Sequence, residues 1–271
     1  KLCHPSILKY IGYSPIDFEK KSNPMIFVEN TLILTLNDIF QCCKLNDIFD
    51  DTFKLIILYG IASAMTYLHS LDTIHEKLNP TNILFSIFFL PKFAPFFFPN
   101  DKPGENTSNK NSSIYISPET LQKSNISKSS NVYSFGAIAF ELMTQKDPSE
   151  LKNSSNLLNI APTYKDLIER CCSKDPKNRP SFDNILSQLK SDHGFITEKV
   201  NEKDFIDYVN YIDMCKNDKK IDKFINLKSK TYSKFNEIIS YFDKYMIKPE
   251  EKSKFINLDR FYIIKNIGCG S

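Results

Sequence analysis

The stretch Ile74–Phe85, IHEKLNPTNILF, gathers His75, Glu76, Lys77, Asn79 and Asn82 within a few positions. Each side chain type carries a definite chemistry. An imidazole can move a proton, and an amide oxygen can approach a hard cation. Lys77 cannot accept a proton, because an ammonium with an ordinary pKa of about 10.4 stays protonated at neutral pH. A polar loop edged by a histidine and two asparagines is arranged like a site, yet the acid and base at its centre are oddly placed for one.

Elsewhere the composition offers no rival chemistry. The 271 residues carry 35 Lys and Arg against 32 Asp and Glu, and a net charge of +3 spread among acids does not point to nucleic acid. Lysine runs such as 216–223 read as solvated helix faces. Seven cysteines are an odd count, and the adjacent pairs Cys42-Cys43 and Cys171-Cys172 lack the C-x-x-C spacing of zinc and redox sites. Reduced thiols in a cytoplasmic protein are expected. The start, KLCHPSILKY, has no signal-peptide pattern and no initiator methionine, so the chain reads as beginning at an internal point. The most apolar stretch, Ile87–Pro99, is broken by Lys92 and three prolines and is too short to cross a bilayer. A buried pair of strands is expected there.

The loop needs elements to hold it. Asp51–Ser70 begins at a capping residue and places Phe53, Ile56, Ile57, Ile61, Ala64 and Leu68 at helical spacing, predicting a long, mostly buried helix. Asn131–Thr144 is nearly all apolar, as for a helix buried on every side. Tyr164–Cys172 and Ser181–Leu189 predict two amphipathic helices. Ser6–Tyr13 and Met25–Val28, separated by Ser22-Asn23-Pro24, read as strands. Asn100–Ser113 is polar, with Pro and Gly, and reads as a mobile loop. Beyond about 192, Phe205, Val209 and Ile212, then Phe235, Ile238, Ile239, Phe242 and Met246, predict amphipathic helices laced with charge.

Four pieces in order resemble the protein kinase superfamily in its tyrosine-kinase-like style. His75-Glu-Lys-Leu-Asn-Pro-Thr-Asn82 has the spacing of the catalytic loop H-R-D-L-x-x-x-N. Ser117-Pro118-Glu119, preceded by Tyr115, resembles the A-P-E element that closes the activation segment. Asn131-Val-Tyr-Ser-Phe-Gly136 resembles D-V-Y-S-F-G at the start of the buried helix of the large lobe. Arg170-Cys-Cys to Arg179-Pro180 resembles that lobe's late arginine motif. His4-Pro5-Ser-Ile-Leu8 falls on the turn before the fourth strand, and Ile26–Asn30 on the strand leading to the hinge. The resemblance implies an α+β, protein-kinase-like fold, mainly the helical large lobe with part of the small β lobe.

It also implies what the site has lost. The position of the proton-orienting carboxylate is Lys77, and that of the loop lysine is Asn79. Glu76 stands where an arginine would capture a phosphorylated activation segment, so a phosphate on Thr107, Ser108, Ser112 or Ser113 would be repelled. Pro91-Lys-Phe-Ala-Pro-Phe-Phe97 lies where P-K-I-A-D-F-G would, so Pro95 replaces the metal-binding aspartate. Asn82 remains as a candidate metal and nucleotide contact, with bracing of the loop as its other role. His75 and Phe96 keep packing positions, Glu119 and Arg179 match a buried ion pair, and Asn131 replaces the aspartate that braces the loop.

Residues 1–191 are therefore expected to form a kinase-like domain lacking the start of its small lobe, 192–254 a helical connector, and 255–271 the first strand and glycine-rich turn of a second kinase domain. Gly268, Gly270 and Ser271 are its candidate nucleotide contacts. The expected function is that of an inactive pseudokinase acting through a protein partner, such as an adjacent kinase domain in the same chain, without nucleic acid and without a membrane span. The alternative is an active Ser/Thr or tyrosine-kinase-like enzyme using ATP and magnesium, cofactors expected only in that case. A structural alternative is a fragment with no independent role.

Overall fold

The computed structural model describes residues 2–16, 18, 20–22, 25–29, 31–41, 50–86, 90–94, 113–123, 126–152 and 154–217. All of them belong to one compact unit, Lys1–Ile225. The expected polar loop up to residue 112, the helices expected from Phe235 onward, and the strand and glycine turn of 255–271 lie outside the described residues.

Two small sheets flank the helices. Strands β1 (Tyr10–Ser14) and β2 (Met25–Val28) pair antiparallel, Tyr13 opposite Ile26 and Ser14 opposite Met25, with a bulge between Tyr10 and Gly12. Strands β3 (Thr31–Thr35), β4 (Ile83–Ser86) and β5 (Pro91–Phe93) form an antiparallel sheet in that order. Ile83 faces Phe93 and Phe85 faces Pro91. Of the strand pair expected over Ile87–Pro99, β5 is the described member, paired with β4 just upstream of that stretch; 87–89 and 95–99 lie outside the described residues. The turn His4–Leu8 joins the outer edge of β5, with Phe93 N donating to the Ser6 carbonyl at 2.7 Å and Leu8 N to the Phe93 carbonyl at 2.8 Å.

Short helix α1 (Leu36–Gln41) follows β3, begun by Thr35, whose N–H and hydroxyl donate to Asp38 at 2.8 and 2.6 Å. Helix α2 (Asp51–Ser70) has the expected bounds, because Asp50 accepts from Phe53 N at 2.9 Å and closes its first turn. Leu55, Ile57, Leu58, Ala62, Ala64 and Met65 are fully buried, so α2 is the axis of the lobe. It ends where Asp72 turns left-handed at φ 51°, and Lys128 ties down that end by donating to the His69 carbonyl at 2.8 Å and to Asp72 at 2.7 Å.

Helix α3 (Pro118–Lys123) is short; α4 (Lys128–Thr144) starts at a capping box formed by Ser127 and Ser130 and stops at Gln145, φ 57°. Helix α5 (Pro162–Cys171) packs on α4, and α6 (Phe182–Ser191) packs on α2. Gly136 permits the first contact: a methyl there would lie 2.6 Å from Cys172 Sγ and 2.7 Å from Cys171 Cβ. Helix α7 (Glu202–Asn217) also packs on α2 and buries Phe205, Val209 and Ile212, so this part of 192–254 is docked on the lobe. Among the described residues no helix is long and apolar enough to cross a membrane.

Candidate functional site

The loop between α2 and β4 is built from the backbone outward. Asn79 caps a short 3-10 turn, Pro80–Asn82, its Oδ1 accepting from Thr81 N at 3.0 Å and from the Thr81 hydroxyl at 2.6 Å. Pro80 enters that turn without a missing donor, since the first N–H groups of a helix have no internal partner. Asn82 donates from Nδ2 to the Lys77 carbonyl at 2.7 Å, and its own carbonyl accepts from Ala94 N at 3.0 Å. The two asparagines thus hold the loop closed on itself and against β5.

His75 sits beneath. Its Nδ1 accepts from Lys77 N at 3.2 Å and its Nε2–H donates to the Ala94 carbonyl at 2.9 Å, which fixes the neutral tautomer. Burial holds its pKa down at about 4, outweighing the bond to Ala94. The ring meets Phe93 edge-on at 4.4 Å. Both nitrogens are occupied and the ring stays neutral at physiological pH. It offers no lone pair to a substrate hydroxyl.

Asn131, at the start of the buried helix α4, braces the same residue. Its Oδ1 accepts from His75 N at 3.0 Å and from His69 Nε2 at 3.1 Å, while Nδ2 donates to the His75 carbonyl. Burial lowers the pKa of His69, the bond to Asn131 opposing it. Glu76 and Lys77 are exposed.

A divalent cation finds a poor donor set here. Of the positions where the resemblance puts carboxylates, Lys77 carries an ammonium and Pro95 has no side-chain oxygen. What remains is the Oδ1 of Asn82. Among the described residues no cluster of His, Cys, Asp and Glu could hold a metal ion. Pro95 and Phe96 lie outside the described residues, as do Gly268, Gly270 and Ser271.

The structure brings Glu119 and Arg179 together as a bidentate pair, Nη1 to Oε1 at 2.6 Å and Nη2 to Oε2 at 2.9 Å. Arg179 also donates to the carbonyls of Ser173 and Ser129 at 2.9 and 3.0 Å and lies over the Tyr133 ring at 5.1 Å. Its side chain is wholly buried and that of Glu119 is 23% exposed. Burial would raise the Glu119 carboxyl, but the bonds from Arg179 and Ser117 bring it down to about 2.

Three further contacts had no local signal in the sequence. Lys92, just before Phe93, reaches the Glu29 carboxylate at 2.8 Å, and Glu29 also accepts from Lys9 N at 3.0 Å. The Tyr115 hydroxyl donates to Glu141 in a short bond, and burial pushes the Glu141 carboxyl up to about 7, Asp147 adding to the rise and Tyr115 opposing it. A chain of hydroxyls from Ser117 through Thr120 to Ser130 joins α3 to α4 at 2.9 and 3.0 Å.

Comparison with known proteins agrees with this architecture. The model of the protein kinase domain family matches residues 1–189. A probable LIM domain-containing serine/threonine-protein kinase of Dictyostelium discoideum is 33% identical over 165 residues, covering 55% of this chain and 25% of that protein. Aurora kinase of Saccharomyces cerevisiae is 27% identical over 198 residues, 68% of this chain and 52% of that protein. Guanylyl cyclase C of Homo sapiens is 29% identical over 179 residues, 56% of this chain and 16% of that protein. The chain spans a quarter or less of the Dictyostelium relatives it matches. A helical lobe on a buried α2, with a braced polar loop leading to β4 and β5, is the fold on which these matches fall: the chain belongs to the protein kinase domain family.

Proposed function

We propose that this kinase domain is a pseudokinase, a module that acts through protein contacts and does not transfer phosphate. Phosphoryl transfer needs a carboxylate to orient the attacking hydroxyl and magnesium to neutralise the phosphates. The observation that carries the reading is the loop's hydrogen-bond account. His75 has both ring nitrogens bonded and is held neutral, and the residue in the position of the proton acceptor is the ammonium of Lys77. Pro95 in place of the metal aspartate argues the same way, as does the use of Asn79 and Asn82 as braces within the loop. One relative, 29% identical over 179 residues, is named for a cyclase and not for a kinase.

The partner we favour is a second kinase domain in the same chain, beginning at 255–271, whose sequence resembles a first strand and glycine-rich turn with Gly268, Gly270 and Ser271. A cytoplasmic setting accords with free thiols at Cys3, Cys171, Cys172 and Cys215. The competing reading, an active serine/threonine or tyrosine-kinase-like enzyme, draws on the names of the Dictyostelium and yeast relatives. Titration calorimetry of the longest natural form with ATP separates the two. The pseudokinase reading expects no magnesium-dependent step in binding at this domain; binding that tightens with magnesium and weakens in Asn82→Ala would overturn it.

A further inference from the structure

Helix α7 lies beyond the stretch matched by the family model, 1–189, yet it is seated in the lobe. Its anchor is Tyr208, buried, with its ring edge-on to Tyr59 at 6.1 Å and its hydroxyl 3.3 Å from Ser6 Oγ. Gly60 makes the seat: a methyl there would lie 2.6 Å from the Tyr208 hydroxyl and 2.5 Å from Pro91 Cγ. At one point α7 therefore meets α2 and the turn His4–Leu8, with the start of β5 seated against the same glycine. Phe205 adds a second edge-on contact to Tyr59 at 5.6 Å.

One turn further along the helix, Tyr211 stacks on Tyr208 with ring centroids 6.3 Å apart. Tyr211 is buried, and with burial as the main cause its hydroxyl is pushed up by Cys215 and the Glu29 carboxylate nearby. Glu29 is the residue that binds Lys92 of β5 and the backbone of Lys9 at the entry to β1. Two outer bonds tie α7 and the residue before it to the helices: Asn201 N to Thr52 Oγ1 of α2 at 2.8 Å and Lys190 of α6 to Asp213 at 2.7 Å.

We propose that α7 is a conformational brace for the turn His4–Leu8 and, through that turn's two bonds to Phe93, for β5, so that drawing α7 off its seat loosens the strand leading into the position of the metal motif. The brace is a property of packing and stands whether or not the domain transfers phosphate.

Hydrogen exchange of the whole chain, read by mass spectrometry without nucleotide, tests it with Tyr208→Ala and the milder Tyr208→Phe. Tyr208→Ala is expected to speed exchange of the amides of 6–9 and 92–94 by about tenfold or more, with less than about a twofold change in α5 and α6. Tyr208→Phe keeps the ring and is expected to affect 6–9 alone, more weakly. Faster exchange confined to 202–217, or spread evenly over α2, α5 and α6, would overturn the proposal. Should Tyr208→Ala not fold, Tyr208→Phe carries the comparison: faster exchange at 6–9 supports the proposal, and unchanged exchange there overturns it.

Discussion

Asn131 grips the backbone of His75 from both sides, accepting its N–H at 3.0 Å and donating to its carbonyl at 2.5 Å. A carboxylate could make only the first of these bonds, since it has no donor when ionised. The amide at the start of α4 is therefore matched to this loop, and it carries no charge into a buried site. The same oxygen also takes the proton of His69, so one side chain ties α4 to the end of α2 and to the loop that follows it.

Asn131→Asp is expected to lower folding stability by about 1–3 kcal/mol, because it sets a carboxylate oxygen against the His75 carbonyl. The sign with pH follows from His69. Its pKa is lowered by burial in the native protein, and a new carboxylate beside it would favour its charged form. The loss, measured as a urea midpoint, should be larger at pH 8 than at pH 6. A midpoint equal to that of the parent at both pH values would show that the brace contributes nothing.

Glu119 and Arg179 should behave as a buried pair. Removing one partner strands the other, and Glu119→Gln or Arg179→Met is expected to cost about 3–5 kcal/mol. The double substitution should cost less than the two single changes added together. With its folded pKa near 2 against an ordinary 4.5, Glu119 gives stability that is full above about pH 4.5 and lost as the pH falls toward 2. Acid unfolding of Glu119→Gln should lack that part of the slope.

Glu141 gives the opposite dependence. Burial raises its pKa to about 7, so its contribution is fullest below the ordinary 4.5 and is lost as the pH rises through 7. Glu141→Gln keeps an acceptor for the Tyr115 hydroxyl and cannot ionise. Its thermal midpoint should exceed that of the parent by about 2–4 °C at pH 8, the shift expected from roughly 1 kcal/mol in a chain of this size, and converge with it near pH 4.5. A constant offset across that range would contradict the assignment.

The long elements were legible because local signals agreed with their burial. The apolar spacing of Phe53 to Leu68 marks α2, although its cap is Asp50 and not the expected Asp51, and the run from Val132 to Phe140 marks α4. Short pieces were not: α1 and α3 are six residues each, too short for a periodic pattern, and are set by Asp38 and by the Ser117–Thr120–Ser130 hydroxyls. The site divides in the same way. Residue identity in the loop revealed what Lys77 and Pro95 cannot do. That Nδ1 and Nε2 of His75 are both engaged depends on Ala94 and on a backbone turn, which no spacing displays. Tyr208 and Ser6, 202 positions apart, meet only because Gly60 leaves room between them.

The most direct measurement is transfer of the γ-phosphate of labelled ATP by the longest natural form of the protein, with the downstream kinase domain, where present, silenced by substitution. Neither autophosphorylation nor phosphorylation of a general protein substrate is expected above the level of a heat-denatured control, at any magnesium concentration. Transfer that is sustained over many turnovers and abolished by Lys77→Ala would contradict the account.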